Sequence, residues 1–288
     1  MLIARYRNGQ GIDLGVVDGS VISPIDTARM SLVEDVARIG VAALAASGWH
    51  DGEALPLGPS LPLESVRLLA PVPCPEKILC VGLNYSLHAD EASMTLPMFP
   101  EIFAKFANAV QDPLGPIVLT ESDAAVDYEG ELTVIIGSTS RNLRPETALG
   151  AVAGYAVGND VSARTIQLRV TQWVMGKTPD TFCPIGPWMA TPRTVGDPQA
   201  LRLTTSVGGE TLQDASTTQM IFGVADLLVY LSSIVTLRPG DLILTGTPAG
   251  VGHSKKPPRY LGEGDVVEVT IERIGTLRNP VVSAGVQG

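Results

Sequence analysis

Residues 126–137 read VDYEGELTVIIG, and the second half of that stretch decides the fold. ELTVIIG (131–137) is a short run of β-branched and apolar residues closed by glycine, the pattern of a strand. Working outward, GYAVGND (154–160), LRLTTSV (201–207), DLILTGT (241–247) and VVEVTIERI (266–274) carry the same pattern, separated by long connections. One convincing helix lies among them. In STTQMIFGVADLLVYLSSIV (216–235), Ile221, Val224, Leu228, Leu231 and Val235 recur at helical spacing, with Ser216 or Thr217 placed to cap it. Strands and helices do not alternate regularly, which argues against a doubly wound sheet or a TIM barrel. The expectation is a mainly β protein with few helices.

Upstream, MLIARY, NGQG and IDLGVVDGSVISPI (1–25) read as short strands joined by hairpin turns. SLVEDVARIGVAALAAS (31–47) places Leu32, Val36, Ile39, Val41 and Leu44 near one helical face. The Pro- and Gly-rich stretch 55–77 then separates this segment from the rest. A small N-terminal domain over 1–65 and a larger domain over 66–288 are expected.

The chain of 288 residues has 30 acidic against 20 basic residues and a net charge of −10. It lacks the cation-rich surface that nucleic acid binding requires. SKKPPR (254–259) is its densest basic cluster and suits a loop or a small anionic ligand. No stretch approaches the roughly 18 apolar residues that span a bilayer, so no membrane association is expected. Charges and glycines come too early for a signal-peptide core, which predicts a cytoplasmic address. Cys74, Cys80 and Cys183 match no zinc or redox spacing and are expected as buried, reduced thiols without a role.

Four stretches carry chemistry. Glu129 and Glu131 stand two apart at the mouth of a strand, so both project to one face. Carboxylates crowded in this way repel unless a cation lies between them. Asp127 is in phase with them and either joins or flanks the pair. Taken alone, the pair is more readily explained as the solvated edge of a strand, since acidic residues are usually exposed. Asp160 follows the strand GYAVG in a loop, well placed as a third oxygen ligand. Three carboxylates completed by waters suit Mg²⁺ or Mn²⁺; Ca²⁺ would want more protein oxygens, and Zn²⁺ finds no Cys or His partners here.

In CVGLNYSLHADEAS (80–93), His88 and Glu91 are three apart, one helical turn. A carboxylate beside an imidazole orients it and raises its basicity, as a general base requires, although a lone histidine is often only a surface residue. TGTPAGVG (245–252) after the strand DLIL offers backbone N–H groups and threonine hydroxyls to a carboxylate or oxyanion. Read alone, it is also an ordinary tight turn.

These residues converge on a known family. VGLNYSLHADE, FAKF, DYEGELTVIIG, GNDVSARTIQ, MGKTPDTFCPIGPW and GDLILTGTPAGVG, in this order, make the chain resemble the fumarylacetoacetate hydrolase superfamily from about residue 66 to 275. The resemblance implies a twisted β-sandwich roll behind a small N-terminal α+β domain, and usually a homodimer. It implies Glu129, Glu131 and Asp160 as ligands of Mg²⁺ or Mn²⁺, with Ca²⁺ as an alternative. His88 and Glu91 would form an acid–base dyad on a lid, with Lys177 in the catalytic centre. Lys105, Arg164, Gln167 and Thr247 match positions that line or support the substrate pocket. Thr165 replaces an acidic residue common in the family, Phe106 replaces a common proline, and residues 81–85 lack the extra aspartate of fumarylacetoacetases proper.

The chain therefore resembles the shorter acylpyruvate hydrolase, decarboxylase and isomerase branch. The expected activity is metal-dependent C–C hydrolysis of an acylpyruvate-type 2,4-dioxo acid, such as fumarylpyruvate. Alternatives on the same site are oxaloacetate decarboxylation and isomerisation of an unsaturated 2-oxo diacid of the 2-hydroxyhepta-2,4-diene-1,7-dioate type. A catalytically silent homologue that binds a small acid is a further reading, which any metal-dependent turnover would exclude.

Overall fold

The computed structural model describes residues 1–9, 11–87, 97–119 and 125–285. Its architecture is mainly β, built on open sheets. Strand Gly130–Ile136 lies inside a twelve-stranded sheet, paired antiparallel with Val152–Asn159 on one side and Leu242–Leu244 on the other. Every residue of Gly130–Ile136 and of Val152–Asn159 is buried, as near-continuous apolar runs dictate for strands covered on both faces. Leu242–Leu244 runs parallel to Ile78–Gly82, and that strand pairs antiparallel with Glu101–Lys105 at the sheet's end.

Towards the other end, Val152–Asn159 pairs with Cys183–Ala190, which in turn pairs with Leu2–Asn8. The first residues of the chain thus extend the same sheet. Asn8 faces Gly11 and Asp18 faces Val21, so the NGQG and VDGS signals both close hairpins. A second, five-stranded sheet orders Glu210–Ser216, Arg202–Val207, Val266–Ile271, Gly275–Ser283 and Ile117–Leu119.

The period of two in Gly130–Ile136 sorts its side chains between two cores. Leu132, Val134 and Ile136 pack with Leu203, Val207, Val267, Val269 and Ile271 of the five-stranded sheet. Ile135 faces the opposite way, into a core shared with Val36, Ile39 and Leu44 of the N-terminal segment. Glu131 is on that second face, in phase with Ile135. Gly130, between the two glutamates, points at the five-stranded sheet; a Cβ there would lie 2.2 Å from Thr205 Oγ1 and 2.9 Å from Val269 Cγ1. Glycine is what lets the sheets close directly behind the carboxylates.

Two helix expectations need correction. The segment 31–47 is not one helix but two, Val33–Ile39 and Ala42–Ala46. Gly40 breaks it at φ +57°, and a Cβ there would meet Pro71 O at 1.8 Å, so the chain turns where it touches the Pro-rich stretch. The later helix is Val224–Ile234, burying Val224, Leu227, Leu228 and Leu231. It starts beyond Ser216 and Thr217: Ser216 caps only the short turn Thr217–Gln219, while Gly223 N–H donates to Asp226 Oδ2 at 3.1 Å and Val224 N–H to Gln199 Oε1 at 2.7 Å. Cys74 is exposed, against expectation, whereas Cys80 and Cys183 are buried free thiols. No described helix is long and apolar enough to cross a membrane.

Candidate metal centre

The two strands that meet at Gly130 and Asn159 do not simply continue. After Gly130 pairs with Asn159, the ladder breaks for two residues on each chain and resumes as Val126–Asp127 against Ser162–Ala163. Glu129 and Asp160 occupy that break. Asp160 N–H donates to Glu129 O at 2.8 Å, and Glu129 N–H donates to Asn159 Oδ1 at 3.0 Å. The break turns Asp160 towards Glu129 and Glu131, and carboxylate oxygens of all three lie within 4.8 Å of one another. All three side chains are buried.

Burying acids without donors or cations is expensive, and the surroundings answer that cost. Lys177 Nζ bridges Glu129 Oε2 at 2.7 Å and Asp160 Oδ2 at 2.8 Å. Lys105 Nζ meets Asp160 Oδ1 at 2.5 Å and donates to Val161 O at 3.0 Å. Arg164 donates from Nε and Nη2 to Asp127 Oδ2 at 2.9 and 2.7 Å, and Nη2 also reaches Glu129 Oε1 at 2.6 Å. Burial works to lower the Lys177 and Arg164 pKa values, but Asp160 and Glu129 around the lysine, and Glu129 and Asp127 around the arginine, outweigh it and hold both above their ordinary ranges. Asp127 is the flanking acid of the sequence pattern: besides Arg164, it accepts from Gly252 N at 2.8 Å and His253 N at 2.9 Å.

Glu131 is treated differently. Among the described residues its donor is a backbone N–H, that of Gly246 at 2.7 Å, and no cation pairs with it. Burial first, then repulsion from Asp160 and Glu129, pushes its carboxyl well above the usual carboxylate range. Four buried carboxylates thus face three buried cations, and the acid left over is one of the three that converge. A hard divalent ion fits that deficit, and the all-oxygen donor set is the one Mg²⁺ and Mn²⁺ take.

The TGTPAGVG loop serves this cluster more than any ligand. Its Gly246 and Gly252 N–H groups hold the protein's own carboxylates, and Thr247 Oγ1 donates to Gly130 O at 3.0 Å while accepting from Gln213 Nε2 at 2.8 Å. The sequence expectation of free oxyanion donors fails for those groups because buried acids claim them first.

A cavity of about 570 Å³ opens over the cluster. Glu129, Glu131, Arg164, Gln167, Lys177 and Thr247 line it; Asp160 and Lys105 are buried and do not contribute to its lining. Phe103 and Trp173, edge to face at 5.6 Å, add an apolar wall, and Lys177 Nζ sits 4.9 Å from the Phe103 ring centroid. His253, Ser254, Lys255 and Lys256 line it as well. None of these wall residues was expected there from spacing; only the basic run 254–259 pointed towards an anionic ligand. His88 and Glu91 lie outside the described residues.

A buried carboxylate triad beneath a cavity is the arrangement of a candidate metal site on a β scaffold. The model of the fumarylacetoacetate hydrolase C-terminal region matches residues 77–282, and one described as Rv2993c-like, N-terminal, matches 1–71. The chain belongs to the fumarylacetoacetate hydrolase family, whose members are divalent-metal-dependent enzymes. It is 41 % identical over 273 residues to a mitochondrial oxaloacetate tautomerase of Rattus norvegicus, covering 94 % of this chain and 85 % of that protein. It is 45 % identical over 248 residues to a 2,4-didehydro-3-deoxy-L-rhamnonate hydrolase of a Sphingomonas strain, covering 85 % and 86 %. The crystal structure of a 2-hydroxyhepta-2,4-diene-1,7-dioate isomerase from Mycobacterium marinum superposes with a TM-score of 0.80 at 36 % identity, over 99 % of both chains.

Proposed function

We propose that the chain is a divalent-metal-dependent hydrolase that cleaves a C–C bond in acylpyruvate-type 2,4-dioxo acids. The observation that carries this reading is the convergence of Glu129, Glu131 and Asp160 under a cavity of about 570 Å³. That space is within the range of small-molecule sites. The Sphingomonas relative, itself named a hydrolase, supports the same direction.

Glu129, Glu131 and Asp160 would hold Mg²⁺ or Mn²⁺, which supplies Lewis-acid polarisation of the 2-oxo acid's oxygens. The remaining roles fall to the chain. Lys105 fixes Asp160 from behind and Arg164 fixes Glu129 and Asp127, so the floor is rigid before substrate arrives. Gln167, Arg164 and Thr247 line the wall that orients the acid. His88, turned by Glu91, takes a proton from water as its oxygen attacks the C4 carbonyl. The C3–C4 bond then breaks, leaving the acyl group as a carboxylic acid. C3 departs with the electron pair as the enolate of pyruvate. Lys177 offers its ammonium to the developing negative charge, and the proton held by His88 returns to C3.

Tautomerisation of a 2-oxo diacid is the second reading. It uses the same proton transfer at C3 with no attacking water, and the rat relative's name favours it. Purified protein with Mn²⁺ is to be offered acetylpyruvate, fumarylpyruvate and oxaloacetate, with and without chelator. Chelator-sensitive release of pyruvate from an acylpyruvate supports the hydrolase. Enol–keto conversion of oxaloacetate without any C–C cleavage moves the protein to the second reading.

A further inference from the structure

Of the chain's five lysines, Lys77, Lys105 and Lys177 each pair with a carboxylate, at 2.9, 2.5 and 2.7 Å. Lys255 and Lys256 pair with none among the described residues, in a chain where acids outnumber bases by 30 to 20. Both line the cavity over the carboxylate cluster. Exposure orders that cavity: Glu129 and Glu131 are buried, Lys255 is half-buried, and His253 and Lys256 are exposed. Acids form the floor, and two lysines with no carboxylate partner among the described residues lie at the rim. Leu83, Phe103, Leu168, Trp173 and Val251 also line the cavity and are apolar.

The loop that carries the two lysines is tied down. Gly252 and His253 donate their N–H groups to Asp127, the acid that also holds Arg164. Arg259 N–H closes the loop on Gly252 O at 2.9 Å, and Arg259 Nη2 pairs with Asp265 Oδ1 at 2.8 Å. Pro257 and Pro258 restrict the backbone between. The His253 ring is oriented by Nδ1 against Tyr260 Oη at 2.9 Å. The backbone of the rim is thus tied to the floor through one side chain, Asp127, which limits where the loop can carry its lysines.

We infer that Lys255 and Lys256, with His253 beside them, form a subsite for a carboxylate at the far end of the substrate. This rests on the floor being the site for the 2-oxo acid end. Electrostatics favour the arrangement: two ammonium groups at a partly desolvated rim attract an anion that the acidic surface elsewhere repels.

The test is a binding measurement that does not depend on which reaction is catalysed. Full-length protein with Mn²⁺ is titrated calorimetrically with 2-oxoadipate and with 2-oxohexanoate, which have the same carbon count and differ by the terminal carboxylate. The wild type is expected to prefer the diacid by roughly ten- to hundredfold. In K255A/K256A that preference collapses, through weaker diacid binding with 2-oxohexanoate affinity unchanged, and K255R/K256R restores it. Equal binding of both acids by the wild type, or a preference that survives the double substitution, overturns the subsite while leaving the floor assignment standing. Failure of both acids to bind in the presence of Mn²⁺ overturns the floor assignment and the subsite together.

Discussion

Arg164 holds Asp127 with two donors, Nε at 2.9 Å and Nη2 at 2.7 Å, and the same Nη2 reaches Glu129 Oε1 at 2.6 Å. Asp127 stands in sequence phase with Glu129 and Glu131, yet it is outside the converging triad. Its five donors come from three places in the chain: its own neighbour Tyr128, Arg164, and the Gly252–His253 backbone. It acts as a clamp, turning one carboxylate into the joint between the broken ladder and the loop at the cavity rim.

Removing that clamp leaves buried Arg164 with Glu129 as its acid partner and Gln167 as a neutral acceptor. Asp127→Ala is expected to cost about 3 kcal/mol of stability, the low end for breaking a buried pair because one partner remains. The triad survives, so metal affinity changes much less than stability does. Chemical denaturation and a Mn²⁺ titration on the same preparation check both halves. Loss of metal binding with stability intact would instead make Asp127 a ligand.

Glu131 predicts a pH dependence. Its carboxyl is raised above 4.5, the ordinary glutamate value, first by burial and then by Asp160 and Glu129. Above 4.5 the unfolded chain has released this proton while the folded, metal-free chain retains it, so stability from this group is full at low pH and falls as pH rises through the raised pKa. Metal binding must expel that proton and therefore tightens with rising pH. Glu131→Gln is expected to stabilise the metal-free protein at neutral pH and to abolish the rise in melting temperature that Mn²⁺ produces in the wild type. Thermal unfolding from pH 5 to 8, with Mn²⁺ and with chelator, measures each effect.

Lys177 competes with any metal for Glu129 and Asp160, since its ammonium already bridges them at 2.7 and 2.8 Å. Lys177→Met removes the competitor without removing a ligand. Metal affinity should hold or rise, while turnover falls by about 100- to 1,000-fold as a donor to developing charge is lost. A parallel loss of metal binding would show that the lysine organises the triad and does not act on substrate.

The site was legible in part. Glu129 and Glu131 converge as their spacing of two suggested, although Glu129 stands in the ladder break before the strand, and Asp160 directly follows the strand Val152–Asn159. Lys105 matched a pocket position in sequence, but its ammonium is spent on Asp160 and Val161 O, a fact that only the third dimension supplies. His253, Lys255, Phe103 and Trp173 reach the cavity from separate loops and strands, and no local pattern announces such a meeting. The helix over 31–47 failed at Gly40, where contact with Pro71 outweighs apolar periodicity. His88 and Glu91 remain a sequence proposal. His88→Ala should lower turnover by on the order of 100- to 10,000-fold with metal binding retained.

Gly130 couples the fold to the site most directly. It separates Glu129 from Glu131 and presses on the second sheet, where a Cβ would fall 2.2 Å from Thr205 Oγ1 and 2.9 Å from Val269 Cγ1. Its N–H also donates to Gln213 Oε1 at 3.0 Å, and its carbonyl accepts from Thr247. Alanine cannot be relieved by one flexible side chain, because a sheet residue stands on either side of the contact. Gly130→Ala is expected to cost about 1–3 kcal/mol through overpacking and, by lifting both glutamates, to weaken Mn²⁺ binding as well. Adding Thr205→Ala removes the nearer contact but not Val269, so it should restore part of the stability. A melting temperature and a Mn²⁺ affinity that recover together in the double variant would show that sheet spacing sets carboxylate spacing; stability recovering without affinity would break that link.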